Sequence, residues 1–290
     1  MHGPHDQPRR EDRVRPTIPA VTMRWLLTLA IVVLLTLLTQ IGGAVWIVTL
    51  GLLRRRRTGV AVFLALFLGL YAAGIALSYA IAPIFGRVPL PCFDDGTSRL
   101  EMQSPLFCVL NRQYVVPELK EAAAALSRHV DQVFPGTTTL ALDANFPFFD
   151  GFPLFPHLSH SDGRKLDVAF FYQDAEADYK DKATRSPIGY FAFEQPRPDS
   201  ILPCRDREDL LTLRWDLDFL QSLWRPLPLE EGRTAEALRW LSAEGSGFGI
   251  EKIFVEPHLA QRLGAEAGSI RFQGCRAARH DDHIHMQVGK

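Results

Sequence analysis

"HLSHSDGRKLDVAFF", residues 157–171, sets a loop against a strand. The first half carries His157 and His160 and is polar, and Gly163 suits a turn that brings His160 and Asp167 together across the strand entry. The second half is rich in β-formers, so a strand is expected over residues 165–172. Its counterpart is "RHDDHIHMQV", residues 279–288. In a strand over 283–288, His283 and His285 project to one face, because side chains alternate. His280 falls in the turn leading in. His160, Asp167 and His285 would supply two imidazoles and a carboxylate. Three such ligands plus a water make a catalytic zinc site, whereas structural sites are closed by four protein ligands, usually with cysteine.

Around these motifs, residues 117–134 read as an amphipathic helix, with Pro117 first and Leu119, Ala122, Leu126, Val130 and Val133 at helical spacing. "TTTLAL" (137–142) reads as a strand, followed by the aromatic, proline-rich loop "NFPFFDGFPLFPH" (145–157). A weaker strand is expected at 210–215, a helix from Asp216 to about Trp224, and another from Thr234 to about Leu241. "GIEKIFVE" (249–256) is a further strand, and Pro257–Leu263 a short helix ended by Gly264. There is no regular βαβ rhythm. The expected fold is α+β, a small, mostly antiparallel sheet with flanking helices. His258 looks structural, His129 lies on the polar side of its helix with no evident partner, and the phenylalanine loop suits core packing or a cleft wall.

The N-terminal part differs in kind. Trp25–Leu53 and Thr58–Gly86 carry no formal charge, and each exceeds the roughly 20 apolar residues that cross a bilayer as helix. A signal peptide's apolar region is only about 7–15 residues. A transmembrane hairpin is therefore expected, with helices at about 25–50 and 60–82, a disordered polar tail over 1–24, and a compact domain over 88–290. In that hairpin both chain ends share one side. Arg54–Arg57 in the connection and Arg9, Arg10, Arg13, Arg15 and Arg24 in the tail then pull the orientation opposite ways. Cys92, Cys108, Cys204 and Cys275 suit two disulfides outside the cytoplasm, Cys92–Cys108 and Cys204–Cys275 being the expected pairing, against four buried cytoplasmic thiols. A net charge of −1 and a pI near 6.8 leave no global basic field for nucleic acid. Oligomeric state has no signal in the sequence.

His160, Asp167 and the later His283-Ile284-His285 resemble the signature of the lysostaphin, D-Ala-D-Ala metallopeptidase and hedgehog group. With His157 and His280 in the flanking positions, the match is closest to the penicillin-insensitive murein endopeptidase branch. The D-Ala-D-Ala carboxypeptidase and dipeptidase branch has glutamate where His280 stands. The resemblance covers about 25 residues, and the endopeptidases' later Asp-x-x-His pair has no clear counterpart. It implies that His160, Asp167 and His285 hold Zn²⁺, that His280 is the general base, and that His283 stabilises an oxyanion. Asp281 or Asp282 would orient a histidine, His157 would line the cleft, and Arg164 would meet a substrate carboxylate. The implied activity is hydrolysis of amide bonds in peptidoglycan peptides, from the extracytoplasmic face of a bacterial inner membrane. Carboxypeptidase or dipeptidase activity, or non-catalytic zinc-dependent wall binding, are the alternatives.

Overall fold

The structure, a computed structural model, describes residues 20–54, 58–207, 209, 211–265 and 267–289. Residues 1–19 of the expected tail, and Arg55–Arg57, lie outside the described residues; residues 20–24 are helical rather than tail.

The first apolar stretch is not one helix. It forms α1 (Ala20–Thr39) and α2 (Gly42–Leu53), and α3 (Val60–Ile81) follows. Gln40 takes a left-handed backbone conformation (φ 65°) and the chain doubles back. Gly43 shows how closely: a Cβ there would lie 2.5 Å from the carbonyl oxygen of Val32, eleven residues earlier. No helix continuing straight would bring those residues together. Thr28, Ile31, Val32, Leu35, Thr36 and Thr39 form the half-buried or buried stripe of α1. Antiparallel packing continues into α3, where Trp46 meets Phe63 edge-on at 4.8 Å. A Cβ on Gly74 would lie 3.2 Å from Ile41. The remaining surface is apolar and open, with Trp25, Leu27, Ile47, Val60 and Leu68 all exposed. Helices α1 and α3 are long and apolar enough to cross a membrane.

Beyond a 3-10 turn (Ala82–Phe85) come β1 (Val88–Pro89), β2 (Leu100–Met102), α4 (Pro105–Val109), β3 (Tyr114–Val115), α5 (Pro117–Val133), β4 (Thr139–Ala141) and β5 (Lys165–Ala169). Then follow α6 (Asp218–Gln221), α7 (Glu231–Ala243), β6 (Ile250–Phe254), α8 (Pro257–Arg262), β7 (Ile270–Arg271) and β8 (His283–Val288). Strands β1 and β3 pair separately; the main sheet has the order β2-β4-β5-β8-β6-β7. Its centre is antiparallel as expected, but the outer pairs β2–β4 and β6–β7 are parallel.

Alternation decides which residues serve packing. Leu166, Val168, Ile284 and Met286 are fully buried and join the core with Leu119, Ala122, Ala123, Leu126 and Val130 of α5. Burying each large apolar side chain contributes roughly 1.5–3 kcal/mol. The residues between them, Asp167, His283 and His285, are left for the opposite face.

Three local expectations need correction. Residues 211–215 form no strand; Leu211, Leu213 and Trp215 are exposed with no neighbouring strand to cover them. The helix expected after Asp216 is one short turn. The helix expected from Thr234 starts at Glu231, because the Glu230 carboxylate accepts from the Arg233 amide at 2.7 Å and caps it. His129 also has a partner, Glu236 of α7, at 2.7 Å. Two disulfides, Cys92–Cys108 and Cys204–Cys275, join the expected cysteines. The second ties the long irregular segment between β5 and α7 to the loop before β8.

Candidate metal centre

Asp167 and His285 stand directly opposite in the β5–β8 ladder, with Ala169 opposite His283. An antiparallel register thus sets a carboxylate and an imidazole side by side, while the small Ala169 leaves room for the second ring. His160 arrives from the loop before β5. Its Nδ1 lies 2.9 Å from the Ala144 carbonyl, which can only accept, so Nδ1 donates there and Nε2 is turned towards Asp167 and His285. That Nε2 lies 3.2 Å from His285 Nδ1 and 3.4 Å from Asp167 Oδ1; His285 Nδ1 lies 2.8 Å from the same oxygen. Ligands at about 2.0–2.1 Å around a tetrahedral zinc are separated by about 3.4 Å. His160, Asp167 and His285 therefore fit a metal ion by donor type and by spacing, and all three are buried.

The other histidines surround this group. His283 Nε2 lies 3.5 Å from Asp167 Oδ1, and its Nδ1 lies 2.5 Å from Asp282 Oδ1. The His280 ring centre lies 5.0 Å from that of His283 and 5.5 Å from that of His285. His157 Nδ1 lies 3.1 Å from Asp143 Oδ2 and 3.6 Å from Asp167 Oδ2. All five motif histidines converge.

Charge separates their states. Burial works against a charged His283, but Asp167 and Asp282 outweigh it and push the group up to about 9, so it is cationic near neutrality. Burial, only partly opposed by Asp167, pushes His285 down to about 4, leaving a neutral imidazole able to ligate. Burial, reinforced by His283 and His285, holds His280 well below the ordinary histidine range. Asp167 is itself fully buried, yet His160 and His283 hold it well below the usual carboxylate range.

Asp281 and Asp282, interchangeable in the sequence, do different things. Asp282 holds His283 and accepts the Phe191 amide at 2.5 Å. Asp281 pairs with Arg279, and its nearest histidine contact is His258 at 4.0 Å, so it orients no ring of the cluster. The Arg164 guanidinium, just before β5, donates to the Gly289 carbonyl, just beyond β8. His258 is structural, 3.2 Å from the Glu194 carbonyl.

Tyr190 and Asp143 belong to the centre without any sequence signal. The Tyr190 hydroxyl donates to Asp167 Oδ2 at 2.8 Å and accepts the Asp143 amide at 2.9 Å. Asp143 holds His157 and accepts from Arg112 at 2.6 Å. Neither lies at motif spacing; only the folded sheet brings them in. The cluster is enclosed except at His157, which retains partial exposure, between the exposed Phe155 and Leu158. Comparison with protein-family models finds no match, and comparison with curated proteins finds none either.

Proposed function

We propose that this chain is a membrane-anchored zinc metallopeptidase that hydrolyses amide bonds in peptidoglycan peptides. The observation that carries this reading is the convergence of His160 Nε2, Asp167 Oδ1 and His285 Nδ1, with the His280 and His283 rings packed alongside. The motif resemblance to murein endopeptidases supplies the substrate class. Zinc, when bound, supplies Lewis acidity and a water that ionises near neutral pH. His280, packed beside His283 and His285, would be the residue to take the water's proton and pass it to the departing amine. His283, held by Asp282, would donate a hydrogen bond to the oxyanion as the carbonyl is attacked. Tyr190 and Ala144 fix the ligands' orientation, which spares reorganisation during the reaction.

The apolar, outward-facing surfaces of α1 and α3 support a membrane anchor, and the two disulfides support an oxidising compartment for the domain. The doubled-back helices remove the conflict in charge. Arg24 lies before the main part of α1, Gln40 is at its far end, and α2 returns to Arg54. Both arginines then lie at the end away from the domain, so the positive-inside rule favours an extracytoplasmic domain. Helix α2 rises only about 18 Å, short of a bilayer core of about 30 Å, and Arg54 would reach the headgroups along its own side chain.

Full-length protein in detergent, incubated with purified peptidoglycan with and without a chelator, tests the activity. Chelator-sensitive release of fragments cut at a peptide bond is expected. Release of terminal D-alanine alone would indicate the carboxypeptidase alternative. The enclosure of the cluster favours a second reading, a zinc-dependent wall-binding module, which would retain zinc and peptide without forming products.

A further inference from the structure

The position of the site relative to the helices narrows the substrate further. His157, the partly exposed member of the cluster among the described residues, belongs to the same loop that docks on the doubled-back helices. Gln40 Oε1 accepts the Phe148 amide at 3.0 Å, and Gln40 Nε2 donates to the Phe148 carbonyl at 3.3 Å. This two-way pairing fixes the loop at the level of the α1–α2 turn. Arg87, nearly fully buried, then clamps the loop shut on itself. It donates to the carbonyls of Phe146 and Phe148 near one end, to the Asp150 carboxylate, and to the Ser161 carbonyl, beside His160, at 3.4 Å. A single arginine side chain thus separates the helix-docked part of the loop from a metal ligand.

The depth of that docking follows from α3. Ile41, next to Gln40, packs at Gly74, and α3 runs seven residues further to Ile81, about 10 Å at helical rise. The domain therefore reaches down beside α3 instead of standing above its end, and the Tyr71 hydroxyl donates to the Val109 carbonyl. Ile84, Phe85, Val109 and Phe149 are exposed, Phe85 meeting Phe149 at 5.3 Å, and Phe155 and Leu158 are exposed on either side of His157 in the sequence. Exposed apolar and aromatic side chains on a loop docked against apolar helices suit the interfacial layer of a bilayer.

We propose that the substrate is a wall-type peptide still attached to a membrane lipid, entering at His157 from the bilayer surface. This rests on the peptidase reading. Attachment of enzyme and peptide to one surface raises the effective concentration of the scissile bond at the opening without any added contact. Hydrolysis remains ordinary: water adds across the amide, giving a carboxylic acid and an amine, and the lipid-borne product stays in the leaflet.

The test uses full-length protein, zinc-loaded, in phospholipid vesicles, with three probes. These are a D-alanine-containing stem peptide coupled to a lipid in the same vesicles, the same peptide free in solution, and purified cross-linked peptidoglycan. The lipid-borne peptide should be cleaved with a kcat/KM at least about tenfold above that of the free one, and Phe149→Asp should remove most of that advantage while leaving free-peptide cleavage unchanged. Equal cleavage of free and lipid-borne peptide, or preference for the polymer, overturns the inference and leaves the peptidase standing. Cleavage of none of the three overturns the peptidase reading and this inference with it. A second arm needs no activity: vesicle lipids carrying a photoreactive group near the glycerol should label residues 149–158 as well as the helices. Labelling confined to the helices would overturn the proposed placement of the opening.

Discussion

Asp167 and His285 occupy facing positions of neighbouring antiparallel strands, with Oδ1 and Nδ1 2.8 Å apart. Strand register therefore positions two candidate ligands rigidly, and only His160 comes from a loop. Four polar groups reach the one carboxylate beyond His285: His160, His283, His157 and Tyr190. The expected behaviour of variants follows from which of these each one disturbs.

Tyr190→Phe removes the hydroxyl that donates to Asp167 Oδ2 and accepts the Asp143 amide. Metal affinity should fall about 10–100-fold, as for other orienting partners of ligands. The two buried groups left without a partner should together cost about 1–3 kcal/mol. Competition with a zinc indicator and a melting curve read the two effects separately. Unchanged affinity would mean the hydroxyl does not orient Asp167.

His280→Ala should retain zinc and lose about 10²–10⁴-fold in turnover, the range for a positioned acid–base group. Metal analysis and fragment release from peptidoglycan are measured on the same preparation. Full turnover would assign the proton transfer elsewhere.

Much of this centre is legible in the sequence, and the reason is local. Alternation in a strand puts His283 and His285 on one face, and helical spacing shows which side of 117–133 is core. The break at Gln40 is passed over by a count of charge, because Thr39-Gln40-Ile41-Gly42-Gly43 is uncharged; its polar residues and Gly-Gly pair are the only local signal of a turn. The reversal depends on the close approach of Gly43 to Val32 and on a hydrogen-bonded partner, Phe148, 108 residues away. Tyr190 and Asp143 escape for the same reason, since each acquires meaning only from what the sheet brings beside it. Residues 211–215 mislead because Leu211, Leu213 and Trp215 alternate as in a strand but lie on an open surface.

The reversal gives a topology different from a simple hairpin. Reporters at the N-terminus and at position 54 should both be inaccessible from the side that carries the domain. A two-helix hairpin would instead put the N-terminus and the domain together. Gly43→Leu, which cannot fit against Val32, should loosen the α1–α2 contact and increase proteolysis near Gln40.

Acid should destabilise the fold through His258. Burial holds this histidine below its ordinary value of 6.5, so the folded protein binds its proton less readily than the unfolded chain. The stability concerned is present above pH 6.5 and is lost as pH falls from there through the lower folded value. His258→Gln should flatten that part of the melting-temperature profile below pH 6.5 relative to the parent. An identical slope in both would remove the assignment.

The most direct measurement is the metal content of purified full-length protein beside that of His160→Ala, Asp167→Ala and His285→Ala. About one zinc per chain should be found in the parent, and almost none in any of the three variants, with folding checked by circular dichroism. Undiminished zinc in correctly folded variants, or none in the parent after zinc loading, would contradict a metal centre built from these residues.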